Sequence, residues 1–136
     1  MKHLKRILHV EDDTDILEIA KLALQTVGGF ELLQFTLGTD TVENMGDFTP
    51  DLFLLDVMMP GIGGIETLEL LHQIKGFETV PAVFMTAKTL DEATQKTGLG
   101  TYVIGTIEKP FDTLELPTTI HRFWQSYQTE ASKSVA

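Results

Sequence analysis

The stretch LFLLDVMMP at residues 52–60 decides the fold of this chain. Its first four residues are all apolar, which is typical of a strand that is buried on both faces of a parallel sheet. The strand stops at an acid, Asp56, and the following Pro60-Gly61 predicts a tight turn that leads into a helix. The stretch therefore predicts a central strand that delivers a carboxylate to one edge of the sheet.

Four further apolar runs accompany this strand, and longer stretches with helical spacing of apolar residues separate them. The predicted strands cover residues 7–10, 30–35, 52–55, 80–85 and 102–107. The predicted helices cover residues 16–27, 39–48, 65–74, 90–97 and 116–127, and the Thr-rich segment 90–97 is the weakest of them. Five alternating strand–helix units of this size predict an α/β fold, a flavodoxin-like (βα)5 three-layer sandwich with a parallel five-stranded sheet in the order 2-1-3-4-5.

Length and composition limit what the chain can be. Its 136 residues fit one domain, which we expect to span residues 1–127, followed by a short polar C-terminal tail at residues 128–136. A formal net charge of −10 disfavours direct binding to nucleic acid. The sequence has no apolar run of about 18 residues, no signal-peptide pattern and no cysteine, so we expect no membrane insertion and a cytoplasmic location.

Polar side chains follow four of the five predicted strands. Ligands of open α/β sheets bind beyond the carboxyl ends of the strands, close to the point where the strand order reverses. In the predicted order that point lies between the first and third strands, so we expect these polar residues to form one site there. In chain order they are Glu11, Asp12, Asp13, Asp56, Thr86 and Lys109.

The residue types at this edge suit phosphoryl transfer. Asp12, Asp13 and Asp56 would bring three carboxylates close together, and such a group repels itself unless a hard divalent cation such as Mg²⁺ or Mn²⁺ is bound. The ammonium of Lys109 and the hydroxyl of Thr86 would add partners for the peripheral oxygens of a phosphoryl group. Asp56, in the middle, would then be the nucleophile and become an aspartyl phosphate.

Four motifs in this order make the chain similar to a response-regulator receiver domain over essentially its full length. They are VEDD at 10–13, LLDVMMPG at 54–61, MTA at 85–87 and KPFD at 109–112. The resemblance implies a stand-alone signalling switch of two-component systems, and not an enzyme in the ordinary sense, since it would catalyse only its own phosphorylation and dephosphorylation. It implies that a histidine kinase or histidine phosphotransfer protein supplies the phosphoryl group, and that an unknown downstream protein receives the signal by contact or phosphorelay.

The resemblance also implies roles for the acids and for one loop residue. Asp56 corresponds to the phosphoacceptor, and Asp12 and Asp13 to metal-binding acids. The backbone carbonyl of Met58 corresponds to a further metal ligand. The implied cofactor is therefore Mg²⁺ or Mn²⁺, held next to the phosphorylated carboxylate.

The switch residues match the family only in part. The resemblance implies Thr86 as the switch hydroxyl and Lys109 as the charge partner of the phosphoryl group, with a cis peptide bond between Lys109 and Pro110. Many receivers carry an aromatic residue three positions before this lysine, whereas this chain has Thr106. Only the Thr86 half of the usual coupling is therefore supported.

Other interpretations of the same residues stay open from sequence. Asp12 and Asp13 are also suitable caps for the first helix. A receiver fold that only binds partners would need no phosphorylation. A small-molecule phosphatase with an Asp nucleophile would use a similar set, but such enzymes usually have a second acid two residues after the nucleophile, where this chain has Met58.

Overall fold

The apolar runs of the sequence form the strands of one parallel sheet. The computed structural model describes residues 2–87 and 102–135, and within them the strands are β1 (Arg6–Val10), β2 (Glu31–Phe35), β3 (Leu52–Asp56), β4 (Ala82–Thr86) and β5 (Val103–Glu108). Their order is β2-β1-β3-β4-β5, which confirms the predicted topology. Every residue of β3 and β4 is buried, because these central strands have a neighbour on each side and helices over both faces.

Helices follow the strands and cover the two faces of the sheet. They are α1 (Thr14–Lys21), which continues into a π-helical segment (Leu22–Val27), α2 (Gly38–Asn44), α3 (Gly64–His72) and α4 (Leu116–Val135). The π-helical segment is followed by Gly29 with a φ of +75°, a left-handed conformation that favours glycine and commonly ends helices. The remaining predicted helix, at residues 90–97, lies outside the described residues.

Helix α4 is longer than the sequence predicts. It continues to Val135, so residues 128–135, expected as a polar tail, are helical. The apolar stripe in the sequence predicts only the part of a helix that packs on the sheet. Polar residues can continue the helix beyond that part. Neither α4 nor any other helix among the described residues is long and apolar enough to cross a membrane.

Two apolar cores, one on each face of the sheet, hold the helices in place. Side chains alternate along each strand, so neighbouring residues contribute to opposite cores. The core under α1 and α4 contains Ile7, Leu54 and Trp124. The core under α2 and α3 contains Phe53 and Leu68. Each such buried side chain contributes roughly 1.5–3 kcal/mol, so these cores, and not the polar groups at the sheet edge, stabilise the fold.

The pairing of β1 with β3 fixes the position of the first acids. Val10 pairs with Leu55, so the next residues along the two strands, Glu11 and Asp56, lie side by side at the carboxyl end of the sheet. Because side chains alternate, both point to the face that is covered by α1 and α4. This is the point where the strand order reverses, as predicted.

The start of α3 packs directly against the strand end that carries Asp56. Gly64 donates its N–H to the carbonyl oxygen of Val57 at 3.0 Å. A Cβ atom on Gly64 would overlap the backbone carbonyl oxygen of Asp56. Only glycine therefore allows the helix to approach the phosphoacceptor candidate so closely.

We expect Gly64→Ala to lower the free energy of unfolding by about 1–3 kcal/mol, because the backbone around Asp56 must move to relieve the overlap. Urea denaturation measures the change. Glu69→Ala, at an exposed position of the same helix, is the control and should change the stability by less than about 0.5 kcal/mol. A Gly64→Ala variant as stable as the wild type would contradict this packing.

Candidate phosphoryl-transfer site

Three carboxylates meet at the carboxyl ends of β1 and β3. Glu11, Asp12 and Asp56 each offer one oxygen, and these oxygens all lie within 4.8 Å of one another. Glu11 is fully buried and Asp56 is 2% exposed, whereas Asp12 is exposed to solvent. The cluster therefore has a buried floor and an open side through which an ion or a phosphodonor can approach.

Lys109 brings a positive charge into this cluster from the end of β5. Its Nζ atom lies 3.0 Å from Oε1 of Glu11 and 3.2 Å from Oδ2 of Asp56. Its backbone N–H donates to the carbonyl oxygen of Thr86 at 2.7 Å, which continues the pairing of β4 and β5 up to the site. The Lys109–Pro110 peptide bond is cis, as the resemblance implies.

The donor set fits a hard divalent cation. Two oxygens bound to one Mg²⁺ lie up to about 4 Å apart, because each sits about 2.1 Å from the ion. The spacing within 4.8 Å in the cluster is close to this value. Three carboxylates and the Lys109 ammonium leave a formal charge of −2, which a divalent cation would neutralise.

Asp13, expected as a metal-binding acid, caps α1 and is not a member of the described cluster. Its Oδ1 atom accepts the backbone N–H of Asp15 at 2.9 Å and that of Ile16 at 3.4 Å. A carboxylate in this position satisfies free N–H groups of the first turn and is stabilised by the helix dipole. The structure thus supports the capping alternative for Asp13.

Glu11 is a member of the cluster to which the sequence reasoning assigned no role in metal binding. Its Oε2 atom accepts the backbone N–H of Asp13 at 3.2 Å, while Oε1 contacts Lys109. The sequence did contain a signal for its position, because the strand period of two places Ile7, His9 and Glu11 on one face. That period predicts that Glu11 turns inward.

The remaining predicted site residues lie around the cluster. Thr86 ends β4 and is 6% exposed. The backbone N–H of Met58 donates to Oδ1 of Asp56 at 3.4 Å, and the Met58 side chain is exposed. Thr106, at the position where an aromatic is common, is exposed in β5 and pairs with Phe84. The metal-binding role of the Met58 carbonyl stays a prediction.

Burial shifts the protonation of the acids in the site. Burial, assisted by a hydrogen bond with Asp56, raises the pKa of Glu11 to about 7. Burial also raises the pKa of Asp56, although contacts with Glu11 and Lys109 oppose the shift. Burial opposes the charge of Lys109, but its contacts with Glu11 and Asp56 raise its pKa on balance. Without a bound cation, the site therefore favours a state in which at least one of its carboxylates carries a proton.

The metal-free protein should lose stability as the pH rises from about 4.5 to about 7. In this range the folded chain keeps a proton on Glu11 that the unfolded chain releases, so the stabilisation is complete below 4.5 and disappears through 7. Thermal unfolding in EDTA at a series of pH values measures the trend, and Glu11→Gln should have a flatter profile. Parallel profiles for the two proteins would contradict the shift.

Comparisons with known proteins agree with this geometry. A family model for the response regulator receiver domain matches residues 7–121. The DNA-binding response regulator MtrA of Mycolicibacterium paratuberculosis is 37% identical over 112 residues, which cover 82% of this chain and 48% of that protein. The phosphate regulon transcriptional regulatory protein PhoB of Rhizobium meliloti is 33% identical over 113 residues, which cover 83% and 49%. The chain thus spans about half the length of these curated relatives.

Solved structures share the fold over almost the whole chain. A CheY-like response regulator receiver domain protein from Methanospirillum hungatei is 25% identical with a TM-score of 0.77, covering 94% of this chain and 99% of that one. The chemotaxis protein CheY4 of Vibrio cholerae is 22% identical with a TM-score of 0.78, covering 89% and 99%. Fold, motifs and family model agree, and the chain belongs to the response regulator receiver domain family.

Proposed function

We propose that this receiver domain is a phosphorylation switch that accepts a phosphoryl group on Asp56 in a reaction that requires Mg²⁺ or Mn²⁺. The observation that carries the proposal is the position of Asp56 between the Lys109 ammonium and two other carboxylates. Its Oδ2 atom contacts Lys109 at 3.2 Å, and it shares the cluster with Glu11 and Asp12. Phosphoryl transfer depends mainly on such positioning and charge neutralisation.

The proposed donor is a phosphohistidine on a histidine kinase or a histidine phosphotransfer protein. A carboxylate oxygen of Asp56 attacks the phosphorus atom, so an O–P bond forms and the P–N bond to the donor imidazole breaks. The imidazole leaves with the bonding electron pair and takes up a proton from solvent. Lys109, already in contact with Asp56, is suited to hold a peripheral oxygen of the phosphoryl group during this step.

A divalent cation would neutralise the acids and the incoming phosphoryl oxygens. Glu11, Asp12 and Asp56 are the candidate side-chain ligands, and the backbone carbonyl of Met58 is a further candidate. A similar solved structure, the response regulator TrrA of Thermotoga maritima, is described in complex with Mg(2+)-BeF; it is 26% identical with a TM-score of 0.70 and covers 88% of this chain and 99% of that one. This supports the same class of ion here.

The signal would leave the site through protein contacts. Thr86 is buried at the end of β4, next to the strand that carries Lys109, so a phosphoryl group held by both residues would link the site to β4 and β5. A local charge change that biases two conformations is the general form of such switches. The downstream partner is a protein that distinguishes the two forms.

Two other functions are less well supported. A small-molecule phosphatase would need an acid two residues after Asp56, and the side chain there is the exposed thioether of Met58. A binding-only receiver would not need two buried carboxylates held by a half-buried lysine, since such charged groups are costly to remove from water. Phosphorylation of Asp56 explains the presence of these charged groups more directly.

Direct contact with nucleic acid is not part of the proposal. MtrA is named as a DNA-binding response regulator, but the matched region is 48% of its length. The charge of −10 disfavours DNA binding by the residues present here. We therefore expect the chain to affect DNA targets only through another protein or through another segment.

Incubation with acetyl phosphate and Mg²⁺ should add one phosphoryl group, as read by intact mass, and Asp56→Asn should abolish the gain. Omission of Mg²⁺ should also abolish it, because the acids then repel the donor. Asp13→Asn is a matched control, since Asn caps helices as well as Asp does and should leave phosphorylation intact. A phosphoryl group on Asp56→Asn would contradict the proposed acceptor.

The two neighbouring aspartates should separate metal binding from helix capping. Asp12→Asn should weaken Mg²⁺ binding by about tenfold or more, because it removes a charge from the cluster. Asp13→Ala should leave Mg²⁺ binding unchanged but lower the free energy of unfolding by about 0.5–2 kcal/mol through loss of the cap. Calorimetric titration and urea denaturation measure the two effects. Loss of Mg²⁺ binding in Asp13→Ala would show that the cap assignment is incomplete.

A further inference from the structure

A completely buried histidine lies directly beneath the acid cluster. His9 occupies the middle of β1, where the flanking residues Leu8 and Val10 are aliphatic and fully buried. It lies two residues before Glu11 and therefore on the same face of the strand. An imidazole at such a position loses its hydration, which costs free energy that an aliphatic residue would not cost. The presence of a histidine therefore points to a role other than packing.

The hydrogen bonds of a neighbouring glutamine fix the orientation of the ring. Nε2 of Gln34, on β2, lies 3.0 Å from Nδ1 of His9 and 2.9 Å from the carbonyl oxygen of Leu17 on α1. Because the carbonyl can only accept, the amide nitrogen and not the amide oxygen must face it. Both hydrogens of the amide are then used, so Nδ1 of His9 accepts and the ring proton sits on Nε2.

The ring stays neutral beside the charged site. Burial and the nearby positive charge of Lys109 lower the pKa of His9 to about 3. Its Nε2 atom has no hydrogen-bond partner among the described residues and is shielded from solvent. The buried Nε2–H of His9 therefore makes this residue costly if its role were packing alone.

The three linked residues enclose the loop that carries the acids. This acid loop consists of residues 11–13 and joins β1 to α1. His9 lies before it, Leu17 lies in the first turns of the helix after it, and Gln34 ties the two together from β2. The backbone N–H of Glu11 also donates to the carbonyl oxygen of Phe35, the residue after Gln34. Strand β2 thus holds the acid loop at both of its ends.

We propose that His9 and Gln34 form a positioning pair that holds the acid loop in the conformation that binds a divalent cation beside Asp56. The proposal rests on the proposed function, because it presumes a cation at Glu11, Asp12 and Asp56. The pair does not touch the ion. It acts through the strand and helix that flank the acids, and so sets how far Glu11 and Asp12 stand from Asp56.

The test is Mn²⁺ binding to the full chain, followed by the electron paramagnetic resonance signal of the free ion, beside thermal unfolding of the same samples. Gln34→Leu removes both hydrogen bonds and should raise the Kd for Mn²⁺ about tenfold, the lower end of what outer partners of metal ligands contribute. His9→Leu should raise the Kd similarly with little change in the melting temperature, because removal of a buried N–H without a partner offsets loss of the hydrogen bond from Gln34. The double variant should be no weaker in Mn²⁺ binding than either single variant.

The control is Leu33→Ala, on β2 but on the opposite face from Gln34. It should lower the melting temperature and leave the Kd for Mn²⁺ unchanged. An unchanged Kd in Gln34→Leu, an equal change in Leu33→Ala, or additive effects of the two pair variants would each overturn the positioning role. If the acid cluster does not bind the cation at all, the result is different, because the wild type and Asp12→Asn would then bind Mn²⁺ equally.

Discussion

The contact of the Lys109 ammonium with two buried carboxylates is the interaction on which the site depends. Glu11 and Asp56 are almost inaccessible to solvent, and two carboxylates so placed would repel each other and lose their hydration. Lys109 reduces that repulsion from a single position between them. Such an arrangement contributes little to stability, because desolvation offsets much of the Coulombic gain. Its value lies in a preorganised charge pattern that a cation and a phosphoryl group can complete.

The topology of the sheet makes this contact possible. Glu11 and Lys109 are far apart in the chain, but both follow strands whose carboxyl ends reach the same edge. Reversal of the strand order between β1 and β3 opens the edge where the acids stand. The two apolar cores hold β1, β3 and β5 in their places, so the long side chain of Lys109, directly after β5, can reach carboxylates at the ends of β3 and β1, two and three strands away. The polar site is therefore a consequence of apolar packing elsewhere.

Individual residues show which features of the structure could be predicted from the sequence. The strands were predicted correctly because continuous apolar runs and glycine or proline breaks are local signals, and their order was predicted from the alternation of five strand–helix units. Asp56 and Lys109 were brought together as expected, since each follows a strand whose place in the order was known. Asp13 was expected beside Asp12 in the metal site, yet it caps α1. Three consecutive acids look alike in sequence, and only the direction in which the chain leaves the strand decides which of them turn inward.

The sequence by itself determined the fold class, the edge of the sheet that carries the chemistry, and the residue types that meet there. These follow from periodicity and from the order of strands along the chain, which are one-dimensional properties. The tertiary structure decided that Glu11 enters the cluster, that α4 runs on to Val135, and that Gln34 links His9 to α1. Each depends on side-chain direction or on contacts between distant segments. Those are set by the register of β1 against its neighbours and by the packing of the helices, neither of which is a local property of the sequence.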